Sequence, residues 1–100
     1  VIQFERKAMP VPTEQSQINA FADALRDNPG EWALYGYAVS SASARMHAYL
    51  IRRGGERGDG GWNPRIKEAF GSERSFETHS VTLFGENRIY IRYVGVGNGD

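Results

Sequence analysis

The chain has no cysteine among its 100 residues. A chain of this length makes one domain and is too short for two. Without a disulfide framework, a cysteine zinc site or a thiol nucleophile, the domain must be held by a single modest core. An apolar content of 40% with 12% aromatics is adequate for that core, and 24% charged residues is ordinary for a globular chain. The absence of cysteine fits a reducing compartment. No apolar stretch approaches membrane-spanning length. Glu5-Arg6-Lys7 interrupts the start too early for a signal peptide. The expected location is cytoplasmic, with no membrane partner.

The periodicity gives an α+β order. Val1 to Phe4 suits a short strand, and Pro10 and Pro12 make the rest of residues 1–12 a linker. Thr13 is a candidate N-cap for a first helix over Glu14 to Arg26, where Ile18, Phe21, Ala22 and Leu25 repeat at helical spacing. Asn28-Pro29-Gly30 stops it. Trp32 to Val39 reads as a strand, with Trp32, Leu34 and Ala38 on one face and Tyr35, Tyr37 and Val39 on the other. Ser40 and Ser41 are natural caps for a second helix over Ala42 to Arg53. Residues 54–61, with five glycines in eight positions, predict a flexible loop. A short helical turn over Pro64 to Phe70 follows. Phe76 to Phe84 and Ile89 to Val94 form a hairpin with its turn at Gly85 to Arg88, and residues 95–100 form a frayed tail. The expected fold is one α+β domain: a three- to four-stranded, mostly antiparallel sheet with two main helices on one face. Its core should include Phe21, Leu25, Trp32, Leu34, Ile51, Phe70, Phe76 and Ile91.

Several short segments together resemble small uncharacterised proteins encoded by actinobacteria and their bacteriophages. They are Asn28-Pro29-Gly30-Glu31-Trp32, Ser43-Ala44-Arg45, Ile51-Arg52-Arg53-Gly54, Ser75-Phe76-Glu77 and Tyr90-Ile91-Arg92-Tyr93-Val94-Gly95. The similarity spans roughly residues 18–95, with a longer, glycine-rich link from Gly55 to Arg74. It implies a compact accessory protein in a bacterial host that binds nucleic acid or a host protein, and it carries no catalytic residues.

The net charge of zero is unevenly spread. Residues 41–75 hold seven Lys or Arg against four acids, while the flanking segments are slightly acidic. A mild excess of this kind permits a polyanionic partner. Arg45, Arg52, Arg53, Arg57 and Arg65 with Trp62 form the leading candidate site: arginines on phosphates, a pliant glycine loop along the backbone, and a tryptophan to stack on a base of DNA or RNA. The same residues equally serve solubility and helix-dipole complementation, with Trp62 pinning the loop. The second candidate is a tyrosine face of Tyr35, Tyr37, Tyr90 and Tyr93, suited to a host protein or to self-association; the alternative is that a helix covers that face. A helix-turn-helix is disfavoured because a strand precedes Ser40.

Glu77 and His79 share a strand face, but two such residues more often do structural work than bind a metal. The motifs of phosphate-binding loops, nucleophile elbows and zinc proteases are missing. The expectation is a binding protein with neither enzymatic activity nor a cofactor.

Overall fold

The computed structural model describes residues 10–58, 60–71 and 73–95. The expected strand at residues 1–4 and the tail at residues 96–100 lie outside the described residues. The fold is α+β, with element order α1 (Gln15–Asp27), β1 (Ala33–Ala38), α2 (Ser41–Arg52), α3 (Pro64–Phe70), β2 (Phe76–Leu83) and β3 (Glu86–Tyr93). The sheet is antiparallel in the order β1-β3-β2. Among the described residues, no helix is long and apolar enough to cross a membrane.

Each helix follows from its local chemistry. α1 buries Ile18, Ala22 and Leu25 on one stripe. Its N-cap is Glu14, whose side chain makes no capping hydrogen bond, so the start falls one residue later than Thr13 would place it. α2 is capped by Ser40, whose hydroxyl accepts from the Ser43 N–H, and it buries Ala44, Ala48 and Ile51. Its small residues let the helix lie close to β2: the Thr78 hydroxyl donates to the Ala48 carbonyl at 3.3 Å. α3 begins with Pro64 behind Asn63, whose Oδ1 accepts from the N–H groups of Arg65 and Ile66.

The β2–β3 connection is tighter than the expected Gly85–Arg88 turn. Leu83 pairs directly with Glu86, leaving Phe84 and Gly85 as a two-residue turn. Both have positive φ, 53° and 75°, as the hairpin turn that matches strand twist requires.

The main departure from the sequence pattern lies in β1. Leu34 pairs with Tyr90 and Gly36 with Ile89, so a bulge leaves Tyr35 with no residue opposite it. Strict alternation fails at that point. Tyr35 turns towards the helices and is buried in the core, while Leu34 and Tyr37 align with Tyr90 and Arg88 on the opposite face. Trp32 lies on that opposite face too, against His79 and under the Arg92 guanidinium. Trp32 and Leu34 are therefore half-buried and lie outside the core predicted for them. Leu25, Ile51, Phe70, Phe76 and Ile91 are buried, and the half-buried Phe21 packs against them.

Gly36 lies beside the segment that covers the edge of β1. Pro10 bridges Tyr37 in parallel, and the Val11 N–H donates to the Tyr37 carbonyl at 3.2 Å. At φ 150°, a Cβ on residue 36 would stand 2.7 Å from the backbone N and Cα of Val11. Gly36→Ala should destabilise the fold by about 1–3 kcal/mol. Urea denaturation checks this; an unchanged midpoint would show that residues 10–11 do not hold this position in solution.

A groove between α2, α3 and residues 11–13 holds His47 beside Val11, Ile18, Leu50, Arg65 and Ile66. Burial lowers the His47 pKa from its ordinary 6.5. The unfolded chain then takes up this proton first as pH falls. Stability should drop progressively below about pH 6.5, through the lower folded value. Thermal melts from about pH 7.5 to about pH 5 should show a smaller loss for His47→Gln than for the unaltered chain.

Candidate functional site

The glycine run is closed by backbone hydrogen bonds. The Gly55 N–H donates to the Leu50 carbonyl, and the Gly55 carbonyl accepts from the Asn63 N–H, both at 2.7 Å. Glu56 bridges Trp62, and the Arg57 N–H donates to the Gly61 carbonyl at 2.8 Å. Gly55 has φ 92°, and a Cβ there would meet the Asn63 carbonyl oxygen at 2.8 Å. Only glycine lets the chain reverse this closely under the end of α2. The turn fixes Glu56 next to the last arginines of that helix.

Three guanidinium groups converge there. Arg52, Arg53 and Arg74 line one groove with Tyr49, Phe76, Glu77 and Val94. Arg52 is tethered to β2, its Nη1 donating to Thr78 Oγ1 at 3.1 Å, which spends no carboxylate. Arg53 and Arg74 share one carboxylate oxygen, Glu56 Oε1, at 3.3 and 2.8 Å. Among the described residues the buried Arg53 Nε has no hydrogen-bond partner, and its guanidinium carbon lies 5.1 Å from the centre of the Tyr49 ring. Glu77, the second acid in the groove, is held by Arg92 through Nε at 2.6 Å and Nη2 at 2.5 Å. Among the described residues, Arg53 and Arg74 thus share Glu56, and the groove's lining sets three guanidinium groups beside a single acid, Glu77, that Arg92 already holds, a local excess of positive charge.

Arg74 stands at φ 57°, a backbone state uncommon for residues other than glycine. The next residue is locked in place: Ser75 is buried, and its carbonyl accepts from the Val94 N–H at 2.8 Å. The unusual φ turns the chain into β2 and brings Arg74 to the groove from a segment remote in sequence from α2.

The six basic-segment candidates do not form one patch. Arg52 and Arg53 lie in this groove. Arg45 sits at the other end of α2, beside Ser80 and Asn87. Arg57 is exposed at the rim of a different, apolar groove. Arg65 is turned towards Thr13, whose carbonyl accepts from its Nη1. Trp62 is exposed but has the Lys67 ammonium 4.5 Å from its ring centre.

The tyrosines do not share a face either. The bulge sends Tyr35 into the core and Tyr37 to the opposite side. Tyr93 packs against Phe76 on the helix side, and Tyr90 is fully buried. His79 lies against Trp32, and Glu77 is occupied by Arg92. Among the described residues, no three His, Cys, Asp or Glu side chains gather as metal ligands.

Sequence reasoning missed Arg74, Tyr49 and the role of Glu56. Tyr49 lies four and three residues before Arg53 and Arg52, a spacing that places it on their side of a helix. Nothing local pointed to Arg74, which reaches the groove through the tertiary path of the chain. No family model, curated protein or solved structure matches the chain.

Proposed function

We propose that this protein binds nucleic acid through its phosphates, using Arg52, Arg53 and Arg74. The observation that carries the reading is the groove lined by three guanidinium groups, two of which share the single carboxylate of Glu56 while the lining acid Glu77 is held by Arg92. Guanidinium groups suit phosphate because their planar donors match its oxygens. Arg52 is oriented in advance by Thr78, and Arg53 by Tyr49 and Glu56, so less side-chain freedom is lost on binding. The basic site of the sequence reading is thereby narrowed to the end of α2 and extended to Arg74. A protein partner gripped by a tyrosine face loses its support, because Tyr35 and Tyr90 are buried and on opposite sides of the sheet.

Arg52→Ala and Arg74→Ala should each weaken DNA or RNA binding and lower the slope of log affinity against log salt by roughly one. Glu56→Gln should strengthen binding, because it removes the carboxylate that Arg53 and Arg74 share. A polarisation titration at low salt checks all three variants. No binding by the unaltered chain, or tighter binding after loss of Arg74, would overturn the proposal.

A further inference from the structure

The arginine groove is not isolated. Tyr49 forms part of its wall and also part of the wall of a second groove, lined by Met46, Leu50, Arg57, Gly58 and Asn63. The second groove is mainly apolar and open to solvent, with a volume of about 530 Å³. Met46 contributes to it as a residue that is 57% exposed. An exposed methionine beside a half-buried tyrosine and leucine offers a polarisable, adaptable surface for a flat ring. Gly58 lies over the edge of this groove, where even a Cβ would come no nearer to the Tyr49 hydroxyl than 3.8 Å. Asn63 gives its Oδ1 to the cap of α3, and its amide Nδ2 donates to no group among the described residues. One tyrosine therefore separates a cationic groove from an apolar groove that has a polar donor at its margin.

This is the chemistry of a nucleotide, which carries a charged phosphate and a flat base with polar edges. We infer that the ligand is single-stranded: an unpaired base enters the Met46–Tyr49–Leu50 groove while its phosphate lies against Arg52, Arg53 and Arg74. The inference rests on the phosphate-binding reading and adds the kind of strand to it. In a duplex the base faces are stacked on one another and unavailable to a tyrosine, whereas an unpaired base exposes one. A peptide of aspartate and glutamate alone would satisfy the arginines but has no flat ring for the apolar groove.

The test measures a short oligothymidylate, an abasic strand of the same length, a duplex, inorganic polyphosphate and polyglutamate against the full chain by fluorescence polarisation. The oligothymidylate should bind about ten-fold tighter than the abasic strand. Tyr49→Ala should reduce oligothymidylate affinity to the abasic level, and Tyr49→Phe should keep the gap. Met46→Glu, which places a charge at the exposed rim, should also narrow it. If the duplex, the abasic strand and polyphosphate bind as tightly as oligothymidylate, the base groove is refuted and the phosphate reading stands. If no phosphate polymer binds, or polyglutamate binds equally well, the phosphate reading fails and this inference with it.

Discussion

Tyr35 reaches the core because β1 carries one residue more than its partner strand between Leu34 and Gly36. From that ring a run of edge-to-face contacts ties the fold together. Phe21 of α1 meets Tyr35 at 5.1 Å between ring centres, and Tyr35 meets Phe70 of α3 at 6.1 Å. Phe70 meets Phe76 of β2 at 4.9 Å, and Phe76 meets Tyr93 of β3 at 5.2 Å. Arg26 closes the run, its guanidinium carbon 5.2 Å from the Phe76 ring centre and its Nη2 donating to the Ala69 carbonyl. Aromatic pairs in this geometry add to the stabilisation from area burial alone. In a cysteine-free chain of this size they supply the cross-links between elements that a disulfide would otherwise provide.

The groove is a consequence of that framework. Phe76 is the first residue of β2 and one of its lining residues, so the aromatic run fixes the floor on which the arginines sit. Ser75 hands the chain to Phe76 from Arg74, and the positive φ of Arg74 is held by the pairing of its neighbours. On the other side, Gly55 lets the chain fold back under α2 and sets Glu56 between Arg53 and Arg74. Surface ion pairs such as these contribute at most about 1 kcal/mol. Their importance is positional: they hold two cations close together at small energetic gain, so an incoming phosphate loses little by replacing Glu56.

Much of the scaffold was legible in residue order. The Ile18–Leu25 stripe, the Ser40 cap, Pro64 behind Asn63, and the hairpin each follow from short-range chemistry that the fold does not override. The bulge was not legible, because Trp32 to Val39 is apolar on both faces and no polar residue marks where alternation breaks. That one slip parted Tyr35 from Tyr37, while Tyr90 and Tyr93, three residues apart on the regularly paired β3, lie on opposite faces by plain alternation. At the site, Arg52 and Arg53 were visible as a basic pair at a helix end. Arg74 was not, since its place depends on the turn into β2. Within the glycine run, the backbone hydrogen bonds of Gly55 and Arg57 that set Glu56 beside Arg53 were not legible from composition.

The central claim is that Arg52, Arg53 and Arg74 act together on a phosphate. Their Nε–H signals in a nitrogen-15 correlation spectrum report on each guanidinium directly, and Arg53 is the most informative because its buried Nε has no partner among the described residues. Titration with a short oligothymidylate should shift all three together, with Arg45 and Arg65 unmoved. Shifts confined to Arg45, Arg57 or Arg65, or none at saturating strand, would contradict the account.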